Sequence, residues 1–166
     1  MKTRPGPGGL PPENATVYSV ADIAKWAVPR GKLLTDAPIN PHGNETVSVT
    51  GYVRLVKLSG DDCDLHIQLG QYPDKHVPQI IAEIPPSEIQ TRKALASLLS
   101  VRIHAPNGRA IPFDGPRAVR LTVIGKPFDD ASHWEKANPK IGNNHGRGVA
   151  TLWVVHPAWR VIAAPQ

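Results

Sequence analysis

Four residues of this chain pair chemistry with spacing: Asp64 and His66 in D-L-H, Glu83 in A-E-I-P, and His156 in V-H-P. Carboxylates and imidazoles are the donors that hold zinc, manganese and similar divalent ions. His66, Glu83 and His156 are the candidate metal ligands. Asp64 or Asp129 would orient an imidazole or act as a base. Three protein ligands and one open position would let such an ion, Zn or Mn, activate water for hydrolysis. The chain has no H-E-x-x-H, and its tightest ligand pair is Asp64-x-His66. The other reading of the same residues is a hydrogen-bonded polar cluster that supports a neighbouring loop.

A second set of residues suits a different ligand. The stretch from Lys126 to Gly148 holds His133, Trp134, Lys136, Lys140, His145 and Arg147, and Tyr52, Arg54 and Lys57 lie in an earlier strand-like run. Bases of single-stranded DNA or RNA stack on aromatic rings while Lys and Arg follow the phosphates. Tyr52, Arg54, Lys57, His133, Trp134, Lys136 and Arg147 are therefore the candidate ligand-binding residues. The alternative is an ordinary solvated loop with Trp134 folded onto the domain. Two facts limit the nucleic-acid reading: only 5% of residues are aromatic, and the acids nearby repel phosphate.

Other routes are excluded more quickly. Gly142 to Gly148 is glycine-rich, but no strand pattern precedes it and no helix pattern follows, so it is no phosphate-cradling loop. No G-x-S-x-G is present, and Cys63, the single cysteine, stands between two aspartates that disfavour its thiolate. One cysteine forms no intramolecular disulfide and no thiolate zinc cluster.

The elements that must position these residues follow from alternation. Val47 to Pro85 contains three strand-length runs separated by Gly, Asp and Pro clusters, which predicts an antiparallel meander. Val47, Val49, Val53 and Leu55 fall on one face of the first run, with Ser48, Thr50, Tyr52 and Arg54 on the other. In the second, Leu65, Ile67 and Leu69 oppose Asp64, His66 and Gln68; in the third, Ile80, Ala82 and Ile84 oppose Gln79, Ile81 and Glu83. One face is core, and the other gathers the polar groups into an outward-facing depression. Ser19 to Asp22 has capping-box spacing, which predicts a short helix ending before Pro29. Pro86 or Ser87 opens a helix of three to four turns with Ile89, Leu95, Leu98 and Leu99 on its apolar face. Ala118 to Gly125 and Val149 to Ile162 complete the strands, the last one bulged at Pro157, which cannot donate to a ladder.

Three strands, a helix and two strands is the order of the OB-fold, a mainly β, five-stranded Greek-key barrel with a helix between its third and fourth strands. Gly51 marks where the long first strand would bend. The domain reading is a flexible Pro/Gly-rich arm over 1–16 and a single OB-fold-like domain over 17–166, with the barrel core at 47–162. The chain is also similar to a group of OB-like bacterial proteins of unknown function. The resemblance rests on G-D-D-C-D-L-H-I-Q-L, I-I-A-E-I-P and the closing W-V-V-H-P-A-W-R-V-I. It spans roughly Val47 to Ile162 and implies a shared fold and polar site, with no known activity. Asp62-Cys63-Asp64 departs from it where Asp-Gly-Asp is expected.

Composition bounds the partners. The formal charge of +5 comes from the last third, where residues 101–166 carry 9 basic and 4 acidic side chains. That is compatible with a polyanion and equally with an ordinary, mildly basic soluble domain. No run suits a membrane span and no signal-peptide core is seen, which predicts a cytoplasmic protein. The leading expectation is a non-catalytic OB-fold binding module for single-stranded nucleic acid. Behind it stand a metal-dependent hydrolase of the phosphodiesterase or nuclease kind and a scaffold that meets a protein partner through the N-terminal arm.

Overall fold

A computed structural model of the chain describes residues 14–26, 42, 44–60, 62–73, 78–101, 110–113, 117–130 and 149–165. The elements in order are β1 (Thr16–Ser19), α1 (Val20–Ala24), β2 (Val47–Leu58), β3 (Leu65–Gly70) and β4 (Gln79–Ile84). They are followed by α2 (Ile89–Leu99), β5 (Ile111–Pro112), β6 (Val119–Asp129) and β7 (Val149–Ala163). Antiparallel pairing joins β2 to β3 and β3 to β4; β4 then pairs with β7 in parallel, β7 with β6, and β6 returns to β2. Five strands thus close into a barrel with α2 between the third and fourth, the OB-like arrangement. Closure leaves these five strands without a free edge along the ring.

The core fills the barrel because alternate side chains point inward. Val47, Val49, Val53, Ile67, Leu69, Ile80, Ala82, Ile84, Leu121 and Val123 are all fully buried. The alternation breaks once. The β2–β3 register slips between Val53 and Leu55, so Val56, not Leu55, enters the core and Arg54 becomes buried. A bulge moves every later side chain to the opposite face, which the sequence pattern does not announce.

Several expected boundaries shift. β6 runs on to Asp129, beyond the predicted end at Gly125, because pairing with β7 continues past Pro127. α2 begins at Ile89, not at Pro86 or Ser87; the Glu88 amide bonds the Pro85 carbonyl and closes a turn first. Ile89 is 57% exposed, and Thr91 takes its place on the inward face with Leu95 and Leu99. The Thr91 hydroxyl donates to the Trp159 carbonyl, tying the helix to β7.

α1 opens with the predicted capping box: the Ser19 hydroxyl accepts from the Asp22 amide and the Asp22 carboxylate from the Ser19 amide. β1 was not predicted. It adds in parallel to the start of β2, and residues 1–13 of the expected arm lie outside the described residues. Gly51 is also closely packed: a Cβ there would lie 2.9 Å from Val20 Cγ2 and 3.0 Å from the Gly70 carbonyl oxygen. Among the described residues no helix is long and apolar enough to cross a membrane.

Candidate metal centre

The outer face of β3, β4 and β7 carries the acids and imidazoles in a row. His66 on β3 faces Glu83 on β4. Ala82 faces Val155 in the parallel β4–β7 ladder, so one residue further on Glu83 and His156 stand in step. Asp64, at the entrance to β3, completes the group. The three strands that supply it are the ones carrying the D-x-H, A-E-I-P and H-P motifs. Parallel closure of the barrel makes them neighbours although His156 lies 92 positions after Asp64.

The compact set is Asp64, Glu83 and His156, whose ligand-type atoms all lie within 4.8 Å of one another. His156 Nε2 donates to Asp64 Oδ2 at 2.9 Å. His66 stands at the edge of the set, its Nδ1 3.6 Å from Glu83 Oε1. All four residues are 3–5% exposed. They therefore form a closed cluster beneath the surface, where the alternation pattern placed them in an open depression. A neutral His156 that donates from Nε2 has its lone pair on Nδ1, and that buried atom has no hydrogen-bond partner. The Phe128 ring, 5.8 Å from the His156 ring, covers one side.

Local structure fixes each member. Cys63 has a φ of 61°, in the left-handed region that favours glycine. The Asp64 amide donates to Asp62 Oδ1 at 3.0 Å, and the Ser59 amide to the Asp64 carbonyl at 2.8 Å. Arg92, on α2, was missed by sequence reasoning. Its Nε donates to the Pro85 carbonyl at 3.0 Å, and its Nη2 to the Ile84 carbonyl at 2.7 Å and to the Cys63 carbonyl. One guanidinium thus holds the turn before Asp64 and the strand end after Glu83. Burial lowers its pKa from the ordinary value, with the charge of Asp64 opposing the shift. A lone arginine on a short helix reads as solvated, so no sequence signal could have found it.

His156 precedes a paired irregularity. The β6–β7 register slips on both sides of Gly125, opposite Pro157 and Trp159, as the proline predicted. The chain passes so close there that a Cβ on Gly125 would sit 2.4 Å from the Pro157 carbonyl oxygen. Asp129 is placed elsewhere, facing Trp153 across the β6–β7 ladder, and does not belong to the compact set. Burial and then the neighbouring Asp130 raise its pKa to about 6.

Of the candidate nucleic-acid residues, Tyr52 is half-buried with the Arg120 guanidinium 5.9 Å from its ring centroid. Lys57 is half-buried opposite His66, and Arg54 is 7% exposed. His133, Trp134, Lys136 and Arg147 lie outside the described residues. No protein-family model matches this chain. No curated protein matches its sequence either.

Proposed function

We propose that this protein is an OB-like barrel that binds one divalent transition-metal ion, zinc or manganese, through Asp64, Glu83 and His156. The observation that carries the proposal is the convergence of three ligand-type atoms within 4.8 Å, from three separate strand regions, in a buried setting. Two donor atoms bound to one tetrahedral zinc at about 2.0 Å lie roughly 3.3 Å apart. The 2.9 Å between His156 Nε2 and Asp64 Oδ2 is close to that spacing, and the Glu83 ligand atom lies within 4.8 Å of the other two. Two buried carboxylates beside two imidazoles cost much desolvation unless a cation or shared protons offset it. Metal uptake would release the Nε2 proton of His156, or leave it in place if Nδ1 is the ligand. His66 would act as an outer partner that fixes the Glu83 carboxylate.

Protein purified without added metal or a metal-binding tag, then measured by elemental analysis, tests the proposal. Stoichiometric zinc or manganese is expected, lost in His156→Ala and in Asp64→Asn. His66→Ala should weaken binding by ~10–100-fold. No bound transition metal, with equal titration of zinc into wild type and both ligand variants, would sink it. Three ligands would leave a position for water on a four-coordinate ion, the opening that metal-dependent phosphoester hydrolysis would require as a further step. Chelator-sensitive turnover of a model phosphodiester tests that step. The second reading, a single-stranded nucleic-acid ligand, would draw on Tyr52 and Arg120 on the barrel. It predicts retention on single-stranded DNA or RNA that falls steeply with salt.

A further inference from the structure

Away from the acid cluster, the same outer face presents the opposite electrostatic problem. Arg54 is 7% exposed, and its Nε and Nη1 are buried with no hydrogen-bond partner. Gln79 is 5% exposed, and its Oε1 is likewise buried without a partner. Both belong to strands that flank Gly70. Gly70 faces Gln79 in the β3–β4 ladder and Tyr52 in the β2–β3 ladder, two residues before Arg54. A Cβ on Gly70 would lie 3.2 Å from Cγ and Cδ of Arg54 and 3.2 Å from the Tyr72 carbonyl oxygen. The arginine stem therefore crosses the bare backbone of Gly70, and a side chain there would push it by a few tenths of an ångström.

A buried hydrogen-bonding group left unpaired costs about 1–3 kcal/mol, and a charged one more. Arg54 offers two such donors on one guanidinium. Among the described residues the acids of the face do not answer them: Glu83 is four residues along β4 from Gln79, about 13 Å of strand. Asp64 lies still further back along β3. Nε and Nη1 lie on different edges of the guanidinium, so an oxyanion would take one of them together with Nη2 along a single edge. The Gln79 amide, turned to present its NH2 group, would donate a third bond to the same anion. Arg120, its guanidinium against the Tyr52 ring, adds a second positive charge beside the site.

We propose that Arg54 and Gln79, on either side of Gly70, form a binding site for a phosphate group, free or esterified. This site is separate from the metal centre in residues and in charge, and it does not require a metal there.

The test uses the full chain at constant ionic strength with a chelator present, so that no metal contributes. The probes are inorganic phosphate and a nucleoside 5′-monophosphate, each titrated to ~20 mM, with the melting temperature and 31P line width as readouts. Wild type is expected to gain melting temperature and to broaden the phosphate line. Arg54→Met should lose both responses while melting at or above the wild-type temperature without phosphate, because a buried unpaired charge has been removed. Gln79→Leu should weaken the response by at least ~3-fold, and Gly70→Ala should do the same by pushing the Arg54 stem aside. Tighter binding of the nucleotide than of phosphate assigns the esterified group; equal binding assigns free phosphate. The proposal fails if wild type shows no response to either probe, or if Arg54→Met responds as wild type does. Should Arg54→Met not fold, unchanged phosphate responses in Gln79→Leu and Gly70→Ala overturn it.

Discussion

Gly125→Ala puts the β6–β7 closure to the sharpest test. The added methyl would meet the Pro157 carbonyl oxygen at 2.4 Å, Val155 Cγ1 at 2.7 Å and Ala158 Cα at 2.9 Å. Two of the three are backbone atoms, so no rotamer change relieves them. Restoring ordinary contact means separating the strands by nearly 1 Å just where the register already slips on either side of Gly125. Overpacking of this kind costs about 1–3 kcal/mol, and each ladder hydrogen bond lost adds about 1 kcal/mol. A total near 3–4 kcal/mol follows. With a urea m-value of about 2 kcal/mol/M, the unfolding midpoint should fall by ~1.5–2 M. Gly60→Ala is the control: a Cβ there meets nothing within 4 Å, so its midpoint should hold or rise slightly as the unfolded chain loses freedom. The strain also falls beside His156, so the zinc affinity of Gly125→Ala should drop with its stability. A Gly125→Ala midpoint within ~0.3 M of wild type would refute the reasoning and with it the tight passage at Pro157.

Asp129 gives a pH signature. Its folded pKa, about 6, lies above the ordinary 3.8, so its contribution to stability is whole below the unfolded value and is lost as pH rises through 6. Asp129→Asn should match wild type near pH 4 and exceed it near pH 7 by ~1–2 kcal/mol, allowing for solvent screening at a half-exposed site. Equal denaturant midpoints at both pH values would contradict this. Cys63→Gly should raise stability by ~0.5 kcal/mol, because φ at 61° suits glycine while the freer unfolded chain offsets part of the gain. Cys63→Ala should gain nothing, and thermal melts of the pair decide it. Arg92→Met removes bonds from one charge to three carbonyls and should cost ~2–3 kcal/mol in urea unfolding. It should also weaken zinc binding measured by titration calorimetry. Unchanged zinc affinity in a folded Arg92→Met would remove Arg92 from the site's support.

Local chemistry made part of this protein legible without coordinates. Alternation separated Leu65, Ile67, Leu69, Ile80, Ala82 and Ile84 from His66, Gln68 and Glu83, because successive residues of a strand point to opposite faces. The Ser19–Asp22 spacing marked the start of α1, since a capping box closes within one turn. Strand and helix order, read along the chain, led to the OB-like barrel. What stayed hidden depends on pairings between distant segments. The slip after Val53 buries Arg54 and exchanges Leu55 for Val56, yet a bulge has no fixed residue signature. The parallel β4–β7 ladder sets His156 against Asp64, and strand order in a sheet is a property of closure, not of either segment. Arg92 joins the adjacent carbonyls of Ile84 and Pro85 to that of Cys63, which lies 29 positions before it. Residue types and faces thus came from the covalent chain, where period-2 geometry is local. Register, burial and the company each polar group keeps came from the closed barrel, where contacts are made between residues that local sterics cannot relate.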